Sequence, residues 1–190
     1  MTSLTENINQ IVSLTTDEIA VIEKAFSSQE LSKGGFWVKH GKVCDRVAFL
    51  ISGKLRSYYV DDAGKEITCY FVRPQNFISS FTSFLTNTPA NEYISALEDS
   101  VFRVISKKNL EDLSLKVPKM QIFRRVIAEN LFITMEKRIA MLQSQSAYER
   151  YEGMLKDNPD IILSVPLQYT ASFLGITPQH LSRLRKELLK

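Results

Sequence analysis

The spacing of apolar residues changes along this chain, and each change marks a different kind of structure. Near the N-terminus Ile19, Ile22 and Phe26 fall on one helical face. They follow Leu14-Thr15-Thr16-Asp17-Glu18-Ile19, in which Thr15 reads as an N-cap, Glu18 completes a capping box, and Leu14 with Ile19 forms a hydrophobic staple. The helical pattern fades at Ser27-Ser28. From Phe36 to about Ile105 it gives way to short aromatic and β-branched runs: Val47 to Ile51, Leu55 to Val60, Ile67 to Val72, Tyr93 to Leu97 and Val101 to Ile105. Between them stand turn signals such as Lys33-Gly34-Gly35, His40-Gly41-Lys42, Ser52-Gly53 and Asp61-Asp62-Ala63-Gly64-Lys65. Strands this short and frequent predict a sandwich or barrel, interrupted by a more polar interval from Pro74 to Glu92.

After Pro118 the helical pattern returns and persists for about 25 residues, long for a helix in a chain of this size. Phe123, Ile127, Leu131, Met135, Ile139 and Leu142 are expected to form one apolar stripe, with Ile122, Val126, Ile133 and Ala140 as a second beside it. Two adjacent stripes suit a helix that packs on its own domain with one side and on a second copy of itself with the other. A helix buried on both sides within a monomer would carry the same pattern. A further short helix is expected from Ala147 to Lys156, ended by Asp157-Asn158-Pro159-Asp160.

The last stretch has the features that two helices crossing at a fixed angle require. Leu167, Ala171 and Leu174 line one face of a first helix, with Ala171 as the small contact residue and Gly175 as the turn. Ile176 fills the space between the helices, Thr177 is placed as an N-cap, and Pro178 takes the first position of a second helix, where its missing N–H costs nothing. Leu181, Leu184 and Leu188 form the buried stripe of that helix. Gln179, Ser182, Arg183 and Lys186 are left on the opposite face. Gln and Arg can make paired hydrogen bonds to base edges in a major groove, whereas Lys and Ser engage phosphate. We therefore expect Gln179 and Arg183 to read bases, Thr177, Ser182, Arg185 and Lys186 to contact phosphate, and His180 to do either. An ordinary amphipathic hairpin with a solvated basic face is the rival reading of the same residues.

Charge and composition sharpen this. The 190-residue chain has a formal net charge of +3, and the whole excess lies in its last segment. From Ser164 onward Arg183, Arg185, Lys186 and Lys190 stand against Glu187, while the preceding 163 residues hold 20 basic and 20 acidic side chains. That distribution suits a phosphate-binding end. The length allows one mid-sized domain plus a small one. No apolar run is long enough to cross a membrane, and Met1-Thr2-Ser3-Leu4-Thr5-Glu6 lacks the basic start and apolar run of a secretory signal, which predicts a cytoplasmic protein without membrane contact. Cys44 and Cys69, each in an apolar stretch, are expected to be small buried thiols. Only His40 and His180 are available as imidazole ligands, and neither a Gly-x-Ser-x-Gly elbow nor a phosphate loop is present, so no enzyme activity and no metal site is expected.

A β-rich half, a long connecting helix and a C-terminal helix-turn-helix, in that order, resemble the Crp-Fnr superfamily of transcription regulators over nearly the whole length. The specific pieces are Val47-Ala48-Phe49-Leu50-Ile51-Ser52-Gly53-Lys54-Leu55-Arg56, Ile94-Ser95-Ala96-Leu97-Glu98-Asp99-Ser100, and Leu174-Gly175-Ile176-Thr177-Pro178-Gln179-His180-Leu181-Ser182-Arg183. The resemblance implies an α+β chain. Residues 1–117 would be a cyclic-nucleotide-binding-like β-roll, that is a double-stranded β-helix acting as effector domain, 118–144 a dimerisation helix, and 145–190 a DNA-binding helix-turn-helix. It further implies a homodimer on a pseudo-palindromic operator in double-stranded DNA, with RNA polymerase as a further partner.

The chain departs from that family at the phosphate-binding cassette. Nucleotide-binding members carry a Gly-Glu pair and, some ten residues on, an Arg followed by a small residue. Here Asn76-Phe77-Ile78-Ser79-Ser80-Phe81 stands first and Asn91-Glu92 later, with a carboxylate in place of a cation. Binding of cAMP is not expected, no cofactor is predicted and the effector is left unnamed. Two cysteines fall short of the four of the iron-sulfur members, and His40 alone makes a poor haem ligand. No wing is expected beyond Leu188-Leu189-Lys190. In these respects the chain resembles the short, cassette-degenerate regulators of Bacteroidetes-type bacteria. A β-roll sensor that signals through protein partners without touching DNA is the alternative function.

Overall fold

The computed structural model describes residues 3–188, with the side chain of Leu188 left out. The expected burial of Leu188 and the expected lack of a wing after it therefore lie outside the described residues. Within them the chain runs α1(Leu4–Asn9), α2(Thr16–Ala25), β1(Ser27–Leu31), β2(Phe36–Val38), β3(Arg46–Ser52), β4(Leu55–Val60), β5(Glu66–Val72), β6(Phe77–Ile78), α3(Phe81–Thr86), β7(Tyr93–Ala96), β8(Ser100–Ser106), α4(Lys107–Lys116), α5(Lys119–Ser144), α6(Ala147–Asp157), α7(Pro159–Ser164), α8(Leu167–Phe173) and α9(Pro178–Leu188). The chain divides into two compact units. One comprises the chain up to Ser57 together with Val72–Asn130; the other comprises Tyr58–Phe71 and the chain from Leu131 onward.

The strands form two four-stranded sheets, ordered β1-β8-β3-β6 and β2-β7-β4-β5. In the first, β8 lies antiparallel to both β1 and β3, so that Ala48 and Ser27 each oppose Val104. The alternation of β8, with Phe102 and Val104 buried and Val101 and Arg103 half-buried, turns one face of that sheet toward the roll interior. This is the jelly-roll solution to a β domain, in which two sheets bury their inner faces against each other. The N-terminal helices close one end. Thr15 accepts the Glu18 amide while the Glu18 carboxylate takes the Thr15 amide, the capping box expected from the sequence. Glu18 also reaches the Lys119 ammonium at 2.8 Å, which, with the Thr15 amide, holds its carboxyl below the usual range. The core of this unit joins Leu4, Ile8, Ile22 and Phe26 to Val47, Phe49 and Ile105, and to Leu110, Leu113, Met120 and Phe123. Phe77 links Phe49 and Phe123 through ring contacts of 5.0 and 5.3 Å.

Gly53, in the tight link between β3 and β4, sits at φ +96°, and a Cβ there would lie 2.7 Å from the Asp99 carbonyl, 2.8 Å from the Ser100 Cα, and against the Ser100 hydroxyl. Both the backbone conformation and the space exclude a side chain. Gly53→Ala is expected to cost roughly 3 kcal/mol in urea denaturation. Gly64→Ala, at φ +78° but with open space around it, is expected to cost about 1 kcal/mol. Equal losses at the two sites would show that the contact with Ser100 is not what demands glycine at position 53.

Two expectations are corrected here. Cys44 is buried, with its amide on the Ser83 hydroxyl, but Cys69 is only half-buried, because it lies on the edge strand β5. The single stripe expected along α5 does not exist. Successive steps of four residues drift about 40° around a helix, so Phe123 and Ile139 point roughly 160° apart. Phe123 and Met120 are buried and Ile127 packs on the same core, whereas Met135, Ile139 and Leu142 are 38%, 57% and 43% exposed. The spacing that keeps one face alternates four and three, and it aligns those three residues with Phe132, 67% exposed.

Candidate nucleic-acid interface

The second unit contains four helices after α5. Ser146 and Glu149 start α6 with a capping box. Asn158-Pro159, read as a plain stop, instead starts the six-residue α7 with Pro at its first position. Tyr151, Met154, Ile161, Ile162, Val165, Ala171, Leu174, Leu181 and Leu184 are buried and give these helices a common core.

Helix α8 ends in a Schellman motif. Gly175 lies at φ +69°, its amide bonds to the Ser172 carbonyl at 3.1 Å, and the Ile176 amide returns to the Ala171 carbonyl at 3.0 Å. Thr177 then caps α9, its hydroxyl accepting the His180 amide at 3.2 Å and its carbonyl the Leu181 amide at 3.0 Å. Ala171 is fully buried, as a crossing contact requires. These local bonds fix the direction in which α9 leaves α8 and, with Leu181 and Leu184 turned inward, which side of α9 faces water.

That outer side carries Gln179, Arg183 and Lys186, all exposed and spaced four and three apart, flanked by the half-buried Ser182. Thr177 is exposed at its N-terminal end, and His180 is half-buried on one flank. Arg185 is not brought together with them. Its guanidinium turns back to α7 and donates to the Ile162 carbonyl at 3.2 Å. Among the described residues the stripe carries no acidic neighbour, since Glu187 lies about 100° round from Lys186.

Three side chains that the sequence did not single out hold this hairpin in place. Arg138 of α5 stacks on the Phe173 ring with 3.8 Å to its centroid and donates to the Phe173 carbonyl. Arg150 of α6 donates to the Leu174 carbonyl at 2.9 Å and to the Gln145 carbonyl at 2.6 Å. Two guanidinium groups thus meet the carbonyl end of α8, where its last C=O groups lack partners within the helix and its dipole favours positive charge. Burial pushes Arg138 down to about 10, the Cys69 thiol opposing the fall and the Arg150 charge adding to it. It remains a cation at neutral pH. Ser172 accepts the Thr68 amide at 2.9 Å and donates to the Glu66 carbonyl at 3.0 Å, and Phe71 lies 5.5 Å from Phe173. The only sequence signal for Arg138 is a guanidinium set among Met135, Ile139 and Leu142; Ser172 carries none.

Among the described residues no three His, Cys, Asp or Glu side chains gather as metal ligands, and no helix is long and apolar enough to cross a membrane. Along the chain a jelly roll is thus followed by a long helix and a helix-turn-helix whose outer stripe is polar and basic. Residues 28–116 match the family model of the cyclic nucleotide-binding domain. FixK2 from Bradyrhizobium japonicum superposes with a TM-score of 0.75 at 16% identity, over 86% of this chain and 84% of that one. The c-di-GMP responsive global regulator CLP from Xanthomonas campestris gives 0.72 at 15% identity, over 92% of both chains. A double mutant of CooA from Carboxydothermus hydrogenoformans gives 0.70 at 19% identity, over 87% and 77%. No curated protein matches the sequence. The fold of this chain is therefore that of these solved structures, with a cyclic nucleotide-binding domain match confined to residues 28–116.

Proposed function

We propose that this protein is a sequence-specific, double-stranded-DNA-binding transcription regulator that acts as a homodimer in the cytoplasm and catalyses no reaction. The observation that carries the reading is the outer stripe of α9. Gln179 and Arg183, near the start of the helix where it would enter deepest, are free to pair with base edges in a major groove. Lys186, Ser182 and the Thr177 hydroxyl lie along the flanks, where phosphates would pass, and His180 is within reach of either. Arg185 would have to leave the Ile162 carbonyl to touch phosphate, so its first role is to hold α9 against α7. Residues 1–117 are the sensor domain in this reading, 118–144 the connecting helix and 145–190 the DNA-binding domain. The exposed seam of Phe132, Met135, Ile139 and Leu142 is the surface on which a second copy would pack, making the operator a pseudo-palindrome whose half-sites match the two-fold axis. RNA polymerase is the partner through which bound protein would act.

Selection of bound duplexes from a random pool tests binding, symmetry and spacing together. Two inverted half-sites about one helical turn apart are expected, with affinity falling steeply as salt rises. Enrichment of no motif, or of a single unpaired half-site, would defeat the proposal.

A further inference from the structure

The family matched by residues 28–116 is named for a ligand with a cyclic phosphate, and an enclosed phosphate needs donors, cations above all. In this chain three hydroxyls of the corresponding stretch are committed elsewhere. Ser79, fully buried, donates to the Arg46 carbonyl at 2.9 Å and lies 3.5 Å from the Cys44 thiol. Ser83, also buried, accepts the Cys44 amide at 2.8 Å and donates to the Thr88 carbonyl at 2.5 Å. Thr86 donates back to the Thr82 carbonyl at 2.7 Å. The Lys107 ammonium is spent on the Phe84 and Leu85 carbonyls, at 2.7 and 3.2 Å. Helix α3 has only six residues, and Ser80 at its start makes no side-chain capping bond.

One ionisable group of the stretch is turned inward, and it has the wrong sign for a phosphate. Glu92 is 8% exposed, and its carboxylate accepts the hydroxyl of Ser57, which has no exposed surface at all. A second anion beside it would meet repulsion in a medium that screens poorly. The residues of this stretch do not fit a cyclic phosphate.

We propose that Glu92 is the built-in anion of this β-roll: its carboxylate, fixed by Ser57, supplies the negative charge that a ligand phosphate would bring, and the domain takes no cyclic nucleotide. A buried carboxylate is kept only where a donor meets it, and Ser57, the last residue of this unit's share of β4, is placed to do so. The roll is then closed around a charge of its own, and its conformation does not wait on a cyclic nucleotide.

Two measurements on the full chain without DNA test this, so their failure is distinct from failure of the DNA-binding reading. Calorimetric titration with cAMP, cGMP and cyclic di-GMP is expected to give no binding heat, and about 1 mM of each should leave the melting temperature unchanged. A ligand bound with micromolar Kd would raise it by several degrees, and such binding would overturn the proposal. Glu92→Leu, which keeps the bulk and removes the acceptor, and Ser57→Ala are each expected to lower the melting temperature by about 5 °C. The double variant should fall no further than the worse single one, because both substitutions break the same contact. Additive losses would show that Ser57 and Glu92 act independently, and the proposal would fail.

Discussion

Ile139→Glu is expected to convert the proposed dimer to a monomer at micromolar concentration and to weaken operator binding about 100-fold or more. Helix α5 has 26 residues and is therefore about 39 Å long. From Ala128 onward Phe132, Met135, Ile139 and Leu142 follow the four-three alternation that keeps one face toward a partner helix. An exposed apolar band of this size is unusual on a monomer. Ile139 lies in its middle, so in a two-fold pair both copies of the glutamate would be desolvated close together, at a cost that hydrophobic packing does not offset. Because residue 139 is 57% exposed within one chain, the monomer itself should keep its helix content, which circular dichroism reads. The loss of DNA affinity comes from losing the second half-site, whose binding is intramolecular in a dimer and is worth about 10²–10⁴-fold. Sedimentation of Ile139→Glu as a dimer, or of the unaltered protein as a monomer, would remove the seam as the interface.

Arg183→Ala should act differently from Lys186→Ala although both remove one cation from the same stripe. A guanidinium paired with a guanine edge contributes about 1–3 kcal/mol of discrimination, so Arg183→Ala should flatten the preference at one base pair of each half-site by roughly 5- to 150-fold. Its affinity for unrelated duplexes should change little. Lys186→Ala should weaken every duplex alike and lower the slope of log K against log salt by about one phosphate contact per subunit. The two variants are compared on the selected operator and on single-base variants of it. An unchanged base preference after Arg183→Ala would take base reading away from that residue.

The hairpin was readable because its determinants are local. Gly175, Thr177 and Pro178 act within about one helical turn of themselves, and the bonds made there in the structure are the ones their chemistry allows. Strand β1 was not readable. Ser27, Ser28 and Glu30 are exposed on an edge strand paired only with β8, so no apolar alternation marks it. Helices α3 and α7 have six residues each, less than two turns, and no periodicity can be established over that length. The stripe on α5 went astray for another reason. Spacing by four looks regular along the sequence but winds around the helix, and only burial separates the part covered by the core, Met120, Phe123 and Ile127, from the part left exposed. Arg138 and Arg150 were out of reach because the Phe173 and Leu174 carbonyls they serve are 35 and 24 residues away along the chain, and an arginine's partners leave no trace in composition.

The Ser172 hydroxyl has a consequence beyond holding α8. Strand β5 is the last of its sheet, and an outermost strand offers unpaired amides and carbonyls on which another chain can extend the sheet. Ser172 occupies both the Thr68 amide and the Glu66 carbonyl, and the Phe71 and Phe173 rings pack beside them. A single side chain thereby withholds one amide and one carbonyl of that edge from neighbouring molecules.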